Sequence, residues 1–150
     1  MPISPRLASA IIKQCTEFEK GYEWEFMNLK FKGFIDAKGD KCMFDLKSTT
    51  DAEPRAFQRD AIKMGYYIQA VLYHQAVGYE YPYYIIAADK KGGVSVHKIT
   101  LELLEYGKKE LERIINEFSR CILEDRWNES HEFYSQRFDG SYELDKPNYL

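Results

Sequence analysis

The chain has 150 residues, of which 45% are hydrophobic and 30% charged, and its formal net charge is −3. This is the profile of one soluble globular domain with enough chain for a real core; it speaks against a broadly basic nucleic-acid binder but leaves room for a local basic patch. Cys15, Cys42 and Cys121 are far apart with no CxxC pair, which argues against zinc ribbons and iron–sulfur ligation and for reduced thiols. No apolar run approaches the ~18 residues of a membrane span, and neither secretion nor membrane insertion is expected.

SPRLASAIIKQCTEFEK (4–20) reads as a helix. Ser4 is placed to cap it, Pro5 suits its first turn, and Leu7, Ile11, Cys15 and Phe18 recur at helical spacing, with Gly21 ending it. YEWEFMN (22–28) and LKFKGFIDAK (29–38) then alternate as strands do. The chain turns at Gly39-Asp40, and KCMFDLKSTT (41–50) returns as the hairpin partner.

Pro54 opens a helix expected to run to about Gly78, with Ile62, Tyr66, Gln69 and Tyr73 along one face. YPYYIIAAD (81–89) is a buried-looking strand, Lys90 to Gly93 a turn, and VSVHKIT (94–100) its partner. LELLEYGKKELERIINEFSRCILE (101–124) is a strongly amphipathic helix. The stretch 125–150 has no clear period and reads as an irregular tail on a single domain spanning 1–150. The order is helix, three strands, helix, strand, strand, helix.

The chemistry concentrates in GFIDAKGDKCMFDLKSTT (33–50). On an alternating strand Asp45 and Lys47 share a face, and Leu46 points the other way, into the core. The Gly39-Asp40 turn brings Asp36 back towards Asp45. Two carboxylates so close repel unless a cation intervenes. Hard oxygen ligands without His or Cys suit Mg²⁺ or Mn²⁺, with the Leu46 carbonyl as a further oxygen. Such an ion lowers the pKa of its water, and Lys47 can hold that water, assist its deprotonation or offset developing charge. The set suits in-line attack on a phosphodiester.

Gly33-x-x-Asp36, Asp45-Leu46-Lys47 and Gln69-x-x-x-Tyr73 together resemble the PD-(D/E)xK nuclease superfamily. Within it, the chain is most similar to the RecE-like exonucleases of phages and prophages, also called exonuclease VIII. The stretch 45–78 carries most of the likeness, Gly21-x-Glu23 adds to it, and it extends over about residues 7 to 125. The resemblance implies an α/β (α+β) restriction-endonuclease-like core, a mixed central sheet flanked by helices in the order αβββαββα. It implies Asp36 and Asp45 as metal ligands, with Glu23 a candidate third, and Lys47 completing the catalytic set. Gln69 and Tyr73 would face the site, with Tyr66 beside them, and Thr49 and Thr50 would donate to a phosphate.

The same resemblance implies a metal-dependent exonuclease that digests one strand of duplex DNA from its 5′ end, in the cytoplasm of a bacterial host. It also implies a RecT-like single-strand annealing partner and a ring-shaped homo-oligomer. The family's further His or Glu on an upstream helix has no counterpart; Glu17 or Glu19 stands in for it, or the chain is a fragment or shortened form.

Each residue also has a plainer reading. Taken alone, without the neighbouring motif, Asp36 and Asp45 read equally as solvated hairpin carboxylates, Lys47 as an exposed ion-pair partner, and Gln69 and Tyr73 as satisfied interior polar groups. Glu23 and Glu25 suit the wet face of a strand. His74, His97 and His131 lack metal-ligand spacing. Lys30, Lys32, Arg55, Arg59, Lys63, Lys90 and Lys91 are either a phosphate track, with Arg55 and Arg59 foremost, or solvated charge. The rival functions are an endonuclease of the same fold and a catalytically impaired DNA-binding module.

Overall fold

Eleven residues, Ile3–Lys13, form helix α1, and the chain then turns straight into strand β1, Cys15–Phe26. The sequence reading carries that helix on to residue 20; the structure corrects it. The apolar spacing that suggests a longer helix is not a buried stripe, since Leu7 is 45% and Phe18 56% exposed. From Tyr22 onward the aromatic residues are partly buried and the intervening glutamates exposed, the period of a strand. The computed structural model describes residues 3–127 and Lys146. The Ser4 cap, His131 and nearly all of the 125–150 tail lie outside the residues and side chains described.

β1 pairs antiparallel with β2, Leu29–Gly39, through a two-residue turn. Met27 and Asn28, expected at the end of a strand, form that turn with φ of 51° and 63°, the left-handed conformation that lets a tight hairpin follow the sheet twist. The next turn is the expected one: Gly39 N–H donates to Cys42 O at 2.8 Å, and β3, Met43–Thr49, returns antiparallel to β2. Only Ala37↔Phe44 and Lys38↔Met43 pair between them. From Met43↔Tyr83 to Thr49↔Asp89, β3 runs parallel to β4, Tyr83–Asp89. β5, Val94–Lys98, closes the far edge antiparallel to β4. The result is a mixed five-stranded sheet in sequence order.

Between β3 and β4 the single helix expected from Pro54 to Gly78 is two helices, α2 (Pro54–Lys63) and α3 (Tyr66–Val77). Glu53 caps α2 by accepting from Ala56 N–H at 2.9 Å, and Pro54 opens it. The break is at Gly65, whose φ of 69° is cheap only for glycine. α4, Leu101–Glu124, follows β5.

The sheet carries a core on each face. Met43, Ile85 and Ala87 pack with Phe57, Ala70, Val71, Leu104, Leu111 and Ile115 from the helices after β3. Phe44 and Ile86, one residue on, pack with Ala8 and Ile11 of α1. Two compact units divide the chain, 1–115 and 116–150. In the second, Phe118 meets Trp127 edge to face at 5.4 Å, and Arg120 pairs with Glu117 and Glu124.

Candidate active site

β3 sets Asp45 and Lys47 on the face covered by α3, as alternation requires. Leu46 points to the other face, but it is 57% exposed rather than part of the core. α1 covers that face over Phe44 and Ile86 and leaves Leu46 in solvent. Asp45 is 4% exposed. Burial pushes its carboxyl above the ordinary value; Lys47 and Gln69 pull it back down, while Asp36 adds to the push.

Lys47 Nζ lies 2.7 Å from Asp45 Oδ2 in a close, largely buried ion pair. Its other neighbours are Gln69 Oε1 at 3.0 Å and the Tyr66 ring, whose centroid is 4.6 Å away.

α3 supplies the second wall. Gln69 and Tyr73 are one turn apart and project together. Gln69 Nε2 donates to Asp45 Oδ1 at 3.2 Å and to Tyr73 Oη at 3.3 Å, so with Lys47 on its oxygen the whole amide is used. Tyr73 Oη in turn donates to Phe34 O at 2.8 Å, tying α3 to β2. Gly33 explains the first residue of the Gly-x-x-Asp spacing: a Cβ there would stand 3.0 Å from the Tyr73 ring. Only a residue without a side chain lets Tyr73 lie against the strand.

Asp36 occupies the point where β2 and β3 part. Extending the Ala37↔Phe44 register by one step sets it opposite Asp45. There the ladder stops, and Asp36 Oδ2 accepts from Leu46 N–H at 2.8 Å. Ile35 belongs to one core and Ala37 to the other, so the backbone turns over at Asp36. In an extended strand a residue's N–H and C=O leave along the same edge, so the Leu46 carbonyl also faces the Asp36 side.

These groups fit a hard divalent cation. Asp45 is a buried carboxylate with lone pairs beyond those that Lys47 and Gln69 engage, and Asp36 and the Leu46 carbonyl stand on the adjoining edge. Among the described residues no three His, Cys, Asp or Glu side chains gather into a metal cage, so the protein offers two carboxylates, the number that suits an ion that keeps several waters.

A family model described as "PDDEXK-like domain of unknown function" (DUF3799) matches residues 12–133. The chain belongs to this family. Its mixed five-stranded sheet with flanking helices is the restriction-endonuclease-like α+β fold. This PDDEXK-like domain aligns with the crystal structure of a protein from Eubacterium rectale described as a "Putative exonuclease", at TM-score 0.64 and 16% identity. The alignment covers 96% of the present chain and 62% of the other, so the chain spans about three fifths of that protein. A second solved structure, SSO0001, aligns at TM-score 0.43 and 12% identity over 76% of this chain and 57% of its own, too slight a likeness to carry argument. No curated protein matches the sequence.

The structure thus brings together Asp36, Asp45, Leu46, Lys47, Tyr66, Gln69 and Tyr73. Glu23 is exposed on β1 opposite Lys32 and, among the described residues, joins no metal-binding acid cluster. Glu17 and Glu19 lie on a strand, not a helix. Glu17 is bonded to Lys20 and Tyr22; Glu19 is exposed with a φ of 48°. Thr49 Oγ1 is used within its own turn, donating to Asp51 O at 3.2 Å, and Thr50 is exposed just beyond the strand. Arg55 and Arg59 stand on the exposed face of α2 with Gln58, Ile62 and Lys63, lining a shallow open groove.

The sequence reading did not single out Tyr83 of β4. It is 1% exposed, on the same sheet face as Asp45. Its one available signal was a polar-tipped residue opening an otherwise apolar buried strand.

Proposed function

We propose that this PDDEXK-like domain is a divalent-metal-dependent nuclease that hydrolyses phosphodiester bonds of duplex DNA, acting as an exonuclease. The observation that carries the reading is the Asp45 carboxylate: buried, pushed above its ordinary pKa by that burial, and flanked by an ammonium and a second acid. A desolvated acid beside a specific charge partner is more typical of a functional site than of a merely stabilising pair.

Asp36, Asp45 and the Leu46 carbonyl would hold Mg²⁺ or Mn²⁺. When bound, such an ion makes its water a stronger nucleophile and offsets charge on the phosphate. Gln69 fixes the carboxylate and the ammonium relative to each other, because one amide bonds both. Lys47, held there, offsets negative charge that grows on the phosphate oxygens as attack proceeds. Tyr73 locks Gln69 from behind. Arg55, Arg59 and Lys63 repeat every four residues along α2 and are exposed. No ion pair within 4 Å engages them among the described residues, which suits a track for the phosphate backbone. Thr50 adds an exposed hydroxyl near the end of β3.

The likeness to RecE-like exonucleases supports the finer reading. Digestion would start at a 5′ end and leave a 3′ overhang, in phage-type recombination within a bacterial cytoplasm. A RecT-like annealing protein would take that overhang, and a ring of identical subunits would thread the duplex. One observation favours a second reading, a catalytically impaired DNA-binding module: the Lys47 ammonium, 2.7 Å from Asp45 Oδ2, stands where a cation would compete for that oxygen.

Incubation of the protein with Mg²⁺ or Mn²⁺ and end-labelled linear or closed circular duplex separates these readings. Loss of the linear duplex alone, from the 5′ label first, is expected. Cutting of circles would mark an endonuclease, and binding without digestion at any metal concentration would mark the impaired module.

A further inference from the structure

Four buried side-chain polar atoms among the described residues lack a hydrogen bond of ordinary geometry: Trp24 Nε1, His74 Nδ1, Tyr83 Oη and Asp45 Oδ2, the last with the Lys47 ammonium 2.7 Å away. Three of the four belong to a connected chain of rings. Trp24 meets Tyr73 edge-on at 6.4 Å, Tyr73 meets Tyr83 at 6.4 Å, and Tyr83 meets His74 at 5.9 Å. Asp45 is bonded to Gln69, and Gln69 to Tyr73, so the fourth joins the same cluster.

A buried hydroxyl without a partner costs folding free energy, and native interiors rarely leave one. Tyr83 sits beside Met43 on the strand parallel to β3, and its side chain shares a face with Asp45. Burial, then the charge of Asp45, then Tyr73 and Asp36, push its hydroxyl well above the ordinary tyrosine value. It therefore remains a neutral donor, with the two site acids nearby. Asp45 Oδ2, in the same interior, has the Lys47 ammonium 2.7 Å away and lone-pair capacity for a further donor. A donor without an acceptor thus shares the interior with an acceptor that can take one more.

We propose that Tyr83 is a positioning residue for Asp45, its hydroxyl donating through one bridging water to Oδ2 and fixing how the carboxylate meets a divalent cation. This rests on the nuclease reading of the same site. The hydroxyl does not touch substrate; it acts through Asp45, as groups behind metal ligands commonly do.

Tyr83→Phe removes the hydroxyl and keeps the ring. Three quantities decide: Mn²⁺ affinity by calorimetry without DNA, the unfolding midpoint of the metal-free protein, and the rate of digestion of linear duplex. The expected result is Mn²⁺ binding weaker by about tenfold, the low end for groups behind a metal ligand, with slower digestion and an unchanged midpoint. Unchanged Mn²⁺ affinity, most tellingly with a raised midpoint, would show an idle hydroxyl and overturn the proposal while leaving the nuclease reading intact. A lowered midpoint accompanying the weaker binding would make the hydroxyl structural and overturn it equally. Failure of the unsubstituted protein to bind Mn²⁺ at all would remove the nuclease reading itself, and this inference with it.

Discussion

Gly33→Ala tests the packing that holds the site together. The new Cβ would stand 3.0 Å from Tyr73 Cε1 and 3.4 Å from Trp24 Cη2, where carbon atoms prefer about 3.5–4.0 Å. Tyr73 cannot simply swing away, because its hydroxyl donates to Phe34 O at 2.8 Å and accepts from Gln69 at 3.3 Å. Overpacking of this kind costs about 1–3 kcal/mol, and giving up one hydrogen bond about 0.5–1.5 kcal/mol. Replacing glycine within a strand returns roughly 0.5–1 kcal/mol. The net expectation is a loss of roughly 2 kcal/mol, or about 4–8 °C in unfolding midpoint for a chain of this size. Digestion should fall as well, since Gln69 moves with Tyr73. The decisive assay is a double-mutant cycle with Tyr73→Leu, followed by urea denaturation. With the ring gone, Gly33→Ala should cost nothing, giving a coupling well above the ~0.3–0.5 kcal/mol typical of independent sites. Additive effects within that margin would refute the argument that Gly33 exists to admit Tyr73.

Asp45→Ala should abolish Mg²⁺-dependent digestion while the circular-dichroism spectrum stays native, and undiminished digestion would end the assignment. Gln69→Ala should slow turnover at least tenfold, because Asp45 and Lys47 both lose their common anchor. A stability loss of about 1.5–3 kcal/mol, the usual worth of hydrogen bonds to charged groups, should accompany it, and normal specific activity alongside that fall in stability would make Gln69 a core residue instead. Replacing Arg55, Arg59 and Lys63 together by Ala should reduce the salt dependence of duplex binding by about 2–3 in log–log slope, near 0.9 for each lost phosphate contact; an unchanged slope would place the DNA elsewhere. Burial holds His74 and His97 below the ordinary histidine value of 6.5. The unfolded chain then takes up protons at a higher pH than the folded one does, so the unfolding midpoint should fall as pH drops below about 6.5. A midpoint flat between pH 7.5 and 5.5 would contradict that burial.

The site was more legible in the sequence than the elements around it. Gly39-Asp40 announces a turn, alternation sets Asp45 and Lys47 on one face, and a four-residue spacing sets Gln69 and Tyr73 on another. Each of these is a local rule that tertiary structure had no reason to overrule. The end of α1 was not legible, because Leu7, Ile11, Cys15 and Phe18 fit a helical period although only Ile11 and Cys15 are buried. Spacing alone does not tell which apolar residues will find a partner. The break between α2 and α3 had a signal in Gly65, but one glycine inside a helical pattern is often tolerated, and what decides is a left-handed backbone that composition does not reveal. Leu46 shows the same limit: alternation gives the face and not what covers it. Tyr83 was hidden for a related reason, as a buried strand reads as apolar whether or not one of its hydroxyls faces an acid.

The place where β2 and β3 separate accounts for why the candidate site lies where it does. A strand that leaves an antiparallel partner exposes backbone groups that must be satisfied. At Leu46 the N–H is taken by the Asp36 carboxylate rather than by a backbone carbonyl, so one acid is fixed by the backbone itself at the mouth of the gap. β3 cannot follow β2 further, because its other edge is committed to the parallel ladder with β4 through Thr49. That commitment holds Asp45 rigidly one step from the separation, under α3, where water is scarce and its charge is costly. The fold thus sets a half-buried, backbone-anchored acid next to a fully buried, destabilised one and leaves a carbonyl on the same edge. Shifting the β2–β3 register by one residue would keep every side chain of the motif and dismantle the site, since Asp36 would no longer face Asp45 and the Leu46 N–H would lose its acceptor.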